Sequence, residues 1–108
     1  MAESQLRKGA LELIILGLLA TRPSYGGELL ERLKTETHLD ISQGTVYPLL
    51  SRLHKAGTVH TRWEESPSGP PRKIYELRHH GHERLTALTH EWLHLHKAVT
   101  QSVKGIQL

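Results

Sequence analysis

Residues 42–57 read Ser42-Gln43-Gly44-Thr45-Val46-Tyr47-Pro48-Leu49-Leu50-Ser51-Arg52-Leu53-His54-Lys55-Ala56-Gly57. Val46, Leu49, Leu50 and Leu53 fall at i, i+3, i+4 and i+7, so a helix over 43–56 gathers them on one apolar stripe. Ser42 supplies an N-cap and Gly57 a C-terminal stop. The opposite side presents Gly44, Tyr47, Pro48, Ser51, Arg52 and Lys55, which are small, hydrogen-bonding or basic. A helix of this width fits the major groove of DNA, and its N-terminal amides favour phosphate. Arg52 and Lys55 suit phosphates or guanine edges, Ser51 and Tyr47 suit backbone oxygens, and Gly44 allows close approach. Pro48 is unusual, because inside a helix it removes an amide bond and crowds the preceding turn. Taken alone, the segment reads equally as an ordinary amphipathic helix.

Upstream, Leu11, Leu13, Ile14, Ile15, Leu16, Leu18 and Leu19 wrap most of a helix over 9–21. Such a helix is buried by neighbours on several sides, here its own domain and a second subunit. Arg22-Pro23-Ser24 ends it, with Ser24 as N-cap of a second helix over 25–36. Leu29, Leu30 and Leu33 face inward there, and Glu31, Arg32 and Lys34 outward. A connector over 38–41 follows, in which Ile41 is placed to join a small sheet.

Downstream, strands over 59–64 and 72–77 flank the breaker cluster Ser66-Pro67-Ser68-Gly69-Pro70-Pro71. Tyr75 and Leu77 share one face. Arg62, Arg72 and Lys73 flank the tip and Arg78 follows, while Glu64 and Glu65 oppose them. A basic hairpin directly after a helix-turn-helix reads as a wing that grips the DNA backbone. The plainer reading is a structural hairpin with solvated charges.

A last helix runs from His80 or Gly81 to about Lys104. Along it Leu85, Leu88, Trp92, Leu95 and Val99 repeat with spacings of three and four, a coiled-coil seam. The seam packs on the first helix, on a second chain, or on both. The expected fold is mainly α with a small β-hairpin: a winged helix-turn-helix over residues 1–79 and a C-terminal dimerisation helix over 80–108. A homodimer would set two reading helices about one DNA turn apart and read a pseudo-palindromic operator.

A chain of 108 residues fits one domain with a modest core, which dimerisation would help. The absence of cysteine excludes disulfides, thiolate metal sites and cysteine nucleophiles. The run from Leu13 to Ala20 is too short for a membrane span, and no cleavage site follows it, so no membrane partner and a cytoplasmic location are expected. Residues 1–41 carry net −1 and residues 42–108 net +4, so the basic excess coincides with the reading helix and hairpin. Ser, His and Asp occur without an organising motif, and neither a phosphate loop nor paired carboxylates stand out, so no enzyme and no cofactor are expected. Nine histidines include the i, i+4 pair His90 and His94. They read as exposed polar positions, with a metal- or pH-responsive regulator as the alternative. A winged-helix protein-interaction module that does not bind DNA is a third reading.

The residues resemble the PadR family of bacterial transcriptional regulators over nearly the whole chain. The resemblance rests on Leu6-Arg7-Lys8-Gly9, Leu11-Glu12-Leu13, Ser24-Tyr25-Gly26 and Glu28-Leu29. It continues through Gly44 to Leu50, Arg52-Leu53, Gly57, Gly69 to Lys73, Tyr75-Glu76-Leu77 and Gly81. It implies a winged helix-turn-helix, a C-terminal dimerisation helix, repression of nearby genes and, in many members, release of DNA by a small aromatic molecule. The DNA-facing set is then Ser42, Gly44, Thr45, Tyr47, Pro48, Ser51, Arg52 and Lys55, with Arg72 and Lys73 from the wing. Trp92 follows Gly81-His82-Glu83 as a tryptophan does in multidrug-sensing members, where two such rings sandwich a flat drug. Trp92 either stacks on a ligand in this way or fills the seam. Those relatives carry an acidic residue four positions on, where this chain has His96. The resemblance therefore implies a neutral or anionic aromatic effector at Trp92 and His96.

Overall fold

Seven elements order residues 4–108, the part of the chain that the computed structural model describes. Helix α1 spans Gln5–Thr21, strand β1 Ser24–Tyr25, helix α2 Gly26–Thr37 and helix α3 Gln43–Lys55. Strands β2 (Val59–Ser66) and β3 (Gly69–Leu77) follow, then helix α4, His79–Ser102. The expected 1–79 unit begins with residues 1–3, which lie outside the described residues.

Helix α1 starts a turn earlier than its apolar pattern, because Ser4 Oγ accepts from the Arg7 amide at 3.0 Å and caps it. Leu11, Ile15, Leu16, Leu18 and Leu19 are buried. They join Leu29 and Leu33 of α2, Val46, Leu49, Leu50 and Leu53 of α3, Val59 and Tyr75 in one core. Ile41 enters that core from the connector rather than from a sheet. Its apolar side chain, not strand pairing, fixes the segment.

The third strand comes instead from Ser24 and Tyr25, giving the order β1-β3-β2. Ser24 pairs with Tyr75 and Tyr25 with Ile74. Ser24 is therefore not the cap of α2; Tyr25 holds that position. The Ser24 hydroxyl serves Arg32, which is buried at 3% exposure rather than turned outward. Arg32 donates to Ser24 Oγ at 2.9 Å, Thr21 Oγ1 at 2.7 Å, the Arg22 carbonyl at 3.3 Å and Glu36 Oε2 at 2.7 Å. One planar guanidinium with several donors thus ties the end of α1, β1 and α2 together.

The hairpin is longer than its Pro/Gly cluster suggests. Glu64 pairs with Arg72 and Ser66 with Gly69, so Pro70 and Pro71 sit inside β3 as a bulge, two residues facing Glu65 alone. A proline has no amide for the ladder, and a bulge is where a strand tolerates that. Gly57, at φ 79°, turns the chain from α3 into β2, as the sequence leads one to expect.

Helix α4 begins at His79, and its first turns belong to the winged unit. A Cβ on Gly81 would overlap the Thr58 carbonyl and Leu77, so α4 and the sheet meet there without a side chain between them. Arg84 grips Glu12 of α1 through two hydrogen bonds of 3.1 and 3.2 Å. Leu85 and Leu88 are half-buried against the core. From Glu91 onward every residue of α4 is exposed. Among the described residues no helix is long and apolar enough to cross a membrane.

Candidate nucleic-acid interface

The four leucine and valine side chains of α3 are buried, which forces the opposite side outward. Gly44, Tyr47, Pro48, Ser51, Arg52 and Lys55 are all exposed, as is Ser42 at the N-cap. Thr45 is half-buried, with its Oγ1 3.2 Å from Ser42 Oγ, a hydrogen bond that braces the start of the helix. Pro48 lies inside the helix, where it withholds the amide that would bond to the Gly44 carbonyl.

Tyr47 is the one bulky group on this face, at 40% exposure. Its ring fills the space a Cβ would need on Gly26, so the glycine at the start of α2 fixes where the phenol lies. Tyr47 also neighbours Tyr75, whose own hydroxyl is pushed above the usual phenol range, first by burial and then by the charge Tyr47 would carry. Tyr25, adjacent to Gly26, lies under the Arg72 guanidinium, 4.5 Å from ring centre to Cζ. The reading helix and the wing are thus connected through Tyr47, Gly26, Tyr25 and Arg72. The sequence reading did not assign Tyr25 or Gly26 a part in the site. Both stand in the Ser24-Tyr25-Gly26 motif, but neither contact is visible in spacing.

Ion pairing sorts the cations. Arg22 pairs with Glu28 and Glu36, Arg32 with Glu36, Arg84 with Glu12, and Arg62 with Glu64 at 2.7 Å and Glu76 at 3.8 Å. The hydrogen bond from Arg62 to Glu64 is the main cause that raises the arginine's pKa. Arg52, Lys55, Arg72, Lys73 and Arg78 form no ion pair among the described residues. Lys73 stands 5.9 Å from the centre of the Tyr75 ring. Of the two wing acids that oppose a basic tip in the sequence, Arg62 absorbs Glu64, while Glu65 forms no ion pair among the described residues; His60 is 2.9 Å from Glu76. Unpaired cations thus cluster on α3, on β3 and just after it, while Arg7, Lys97 and Lys104 also form no ion pair among the described residues. Lys8 of α1 joins this set, bordering a concavity next to Arg52.

The C-terminal residues occupy a separate place. Leu85 and Leu88 face their own chain, while Trp92, Leu95 and Val99 stay 42%, 57% and 54% exposed. The predicted seam is therefore divided between the chain's own core and an open stretch. The Trp92 and His96 rings stack on each other at 4.9 Å between centroids and 11° between planes. Trp92 also borders a small groove of about 100 Å³ between α1 and α4, with Glu12, Leu13, Leu88 and Glu91. Acidic groups thus lie beside Trp92 even though His96 replaces the one the sequence resemblance called for. No three His, Asp or Glu among the described residues are placed to hold a metal ion.

A family model described as the transcriptional regulator PadR-like family matches residues 15–87. The structure of a PadR-like transcription factor from Bacteroides fragilis is 40% identical, covers 90% of this chain and 93% of its own, and superposes with a TM-score of 0.76. A PadR-like transcriptional regulator from Bacillus cereus strain ATCC 14579 is 32% identical, over 94% of this chain and 99% of its own, with a TM-score of 0.84. An uncharacterized protein of Lysinibacillus sphaericus is 26% identical over 109 residues, 99% of this chain and all of its own. The winged helix with its outward-facing α3, and a match that covers most of the chain, lead to one conclusion: the chain belongs to the PadR-like family of transcriptional regulators, DNA-binding proteins rather than enzymes.

Proposed function

We propose that this chain is a homodimeric repressor that holds a pseudo-palindromic operator in the cytoplasm and releases it when a small planar aromatic molecule binds beside Trp92. The observation that carries the DNA contact is the set of cations without carboxylate partners on α3 and the wing. Arg52 and Lys55 flank the exposed face of α3, and Arg72 and Lys73 extend the charge along β3. In this reading Ser42, Gly44, Thr45, Tyr47, Pro48 and Ser51 meet the groove and its phosphates. A gel shift with the DNA upstream of the chain's own gene tests it. Retarded DNA at low salt is expected; a free duplex there overturns it.

The division at residues 79 and 80 is one of roles rather than of folding. The N-terminal unit reads DNA, and the exposed half of α4 meets a second chain through Trp92, Leu95 and Val99. These three lie within one sector of the helix, so they form a continuous apolar strip. Leu85 and Leu88 anchor that strip to the core. The effector site is the Trp92 groove doubled by the partner's copy. Glu91 at its edge favours a neutral aromatic over an anionic one, while Glu12 is already held by Arg84. Fluorescence titration with planar aromatics, run on wild type and Trp92→Ala, tests the site, because exposed Trp63 reports in both. Quenching only in the chain that keeps Trp92 is expected, and identical quenching overturns stacking at Trp92.

A further inference from the structure

Thr45 and Arg52 are seven residues apart and share one flank of α3, while Tyr47 and His54 share the other. The Tyr47 flank is closed by Gly26 and neighbours the sheet. The Arg52 flank faces α1 instead, across a concavity of about 210 Å³ bordered by both Lys8 and Arg52. Gly44, Thr45 and Pro48 form the rest of its rim, Leu11 and Leu49 its apolar floor, and no acidic side chain among the described residues lines it. Neither Lys8 nor Arg52 forms an ion pair among the described residues. Two cations that share a hollow without a carboxylate repel each other, and an anion placed between them removes that cost. At roughly 30 Å³ per water, the space equals about seven waters, enough for a hydrated phosphodiester.

The geometry of the groove says which phosphate this is. A helix about 10–12 Å wide nearly fills a major groove about 12 Å across, so each flank of α3 faces one sugar-phosphate strand. Arg72, stacked on Tyr25 beside Gly26, serves the Tyr47 flank. The strand on the other side meets Arg52 and whatever α1 offers. We infer that Lys8 of α1 and Arg52 of α3 clamp one backbone phosphate on the strand opposite the wing, which makes α1 part of the DNA-binding surface. The inference rests on the DNA-binding reading above. Lys8 sets the depth and tilt of α3 in the groove without reading sequence, because phosphate contacts position and base contacts specify.

The test is the salt dependence of binding, measured by fluorescence anisotropy on the upstream duplex and on a random-sequence duplex. Wild type is compared with Lys8→Gln, Arg52→Gln and the double variant, with thermal melts run alongside. Lys8 is exposed, and glutamine is a good helix former, so the melts should coincide. Lys8→Gln should weaken both duplexes alike, about tenfold per subunit at 0.1 M salt, and flatten the slope of log K against log salt by about 0.9 per subunit. Because the two cations hold one phosphate, the double variant should lose less than the sum of the single losses. A Lys8→Gln slope equal to that of a wild type that binds overturns the clamp and leaves the repressor reading standing. Additive losses overturn the shared phosphate. A wild type that binds neither duplex overturns the DNA reading and the clamp with it.

Discussion

At position 26 a single methyl group competes with an aromatic ring. The Tyr47 ring occupies the place a Cβ would take, and because the ring is partly exposed it has room to swing outward. Gly26→Ala should therefore cost more in DNA affinity than in stability: about tenfold weaker binding, or roughly 1.4 kcal/mol, with a smaller change in unfolding free energy. Anisotropy and urea melts on the same preparation check the split; a stability loss larger than the affinity loss would place Gly26 in packing alone. Arg32 shows the opposite balance. Arg32→Met removes the guanidinium that joins Thr21, Ser24 and Glu36, and should cost about 2–3 kcal/mol by urea denaturation. The Arg32 hydrogen bond holds the Glu36 carboxyl below the usual glutamate range. A carboxyl lowered in the folded state contributes stability above its unfolded pKa and loses it as pH falls through the folded one. Wild type should thus lose more stability on acidification below the ordinary glutamate range than Arg32→Met does; parallel acid curves would contradict this. In the sequence, Arg32 looks like a solvated charge beside Glu31 and Lys34. Its partners at positions 21, 22 and 24 lie on other elements, so no periodicity reveals them.

Elements built on long apolar periods were legible, and short ones were not. The Val46, Leu49, Leu50 and Leu53 stripe placed α3 and its outward face, and Gly57 marked its end. Strand β1 has two residues, too few for any alternation to show, and it exists because β3 offers it a free edge. The hairpin is longer than the sequence suggests because Pro70 and Pro71 read as breakers, whereas the bulge they form lets the strand continue. In the sequence Lys8 stands out only within the Leu6-Arg7-Lys8-Gly9 motif, because nothing in spacing reveals that α1 and α3 share a hollow. The α4 residues Leu85, Leu88, Trp92, Leu95 and Val99 repeat periodically, but period alone does not say which half is already buried. The exposed half carries the element-scale prediction. Leu95→Glu puts a charge into the strip between Trp92 and Val99 and should turn a dimer into monomers by sedimentation, while its melt stays near wild type at dilute concentration. An unchanged sedimentation coefficient would remove this strip from the interface.

At the scale of the molecule, the pairing of charges separates a neutralised body from a cationic front. Carboxylates hold Arg22, Arg32, Arg62 and Arg84, and among the described residues the cations left over lie on α3, on and just after β3 and at the start of α1, with Lys97 and Lys104 the exceptions on and beyond α4. A dimer built through α4 fixes the distance between two such fronts, so binding should depend on phase. Moving the operator half-sites apart by half a DNA turn, about 5 bp, should lower affinity to that of random DNA, and adding a full turn of about 10 bp should restore part of it. Equal affinity for all spacings would mean that the two subunits do not bind as one rigid pair.

Gly81 gives that pairing a mechanical meaning. With no side chain at position 81, α4 is seated directly on the Thr58 carbonyl and Leu77, and Arg84 pins the next turn to Glu12. Helix and winged unit therefore pivot together rather than bending at their junction. A helix of 24 residues is about 36 Å long at about 1.5 Å per residue, so in the proposed dimer it would act as a lever arm between the seam and the winged unit. Trp92 is about 20 Å from His79 at about 1.5 Å per residue, so in the proposed dimer a tilt of about 10° there would carry the winged end through roughly 3 Å, about a quarter of the width of a major groove. If the effector binds as proposed, a molecule no larger than an aromatic ring would act on the reading helix through this arm.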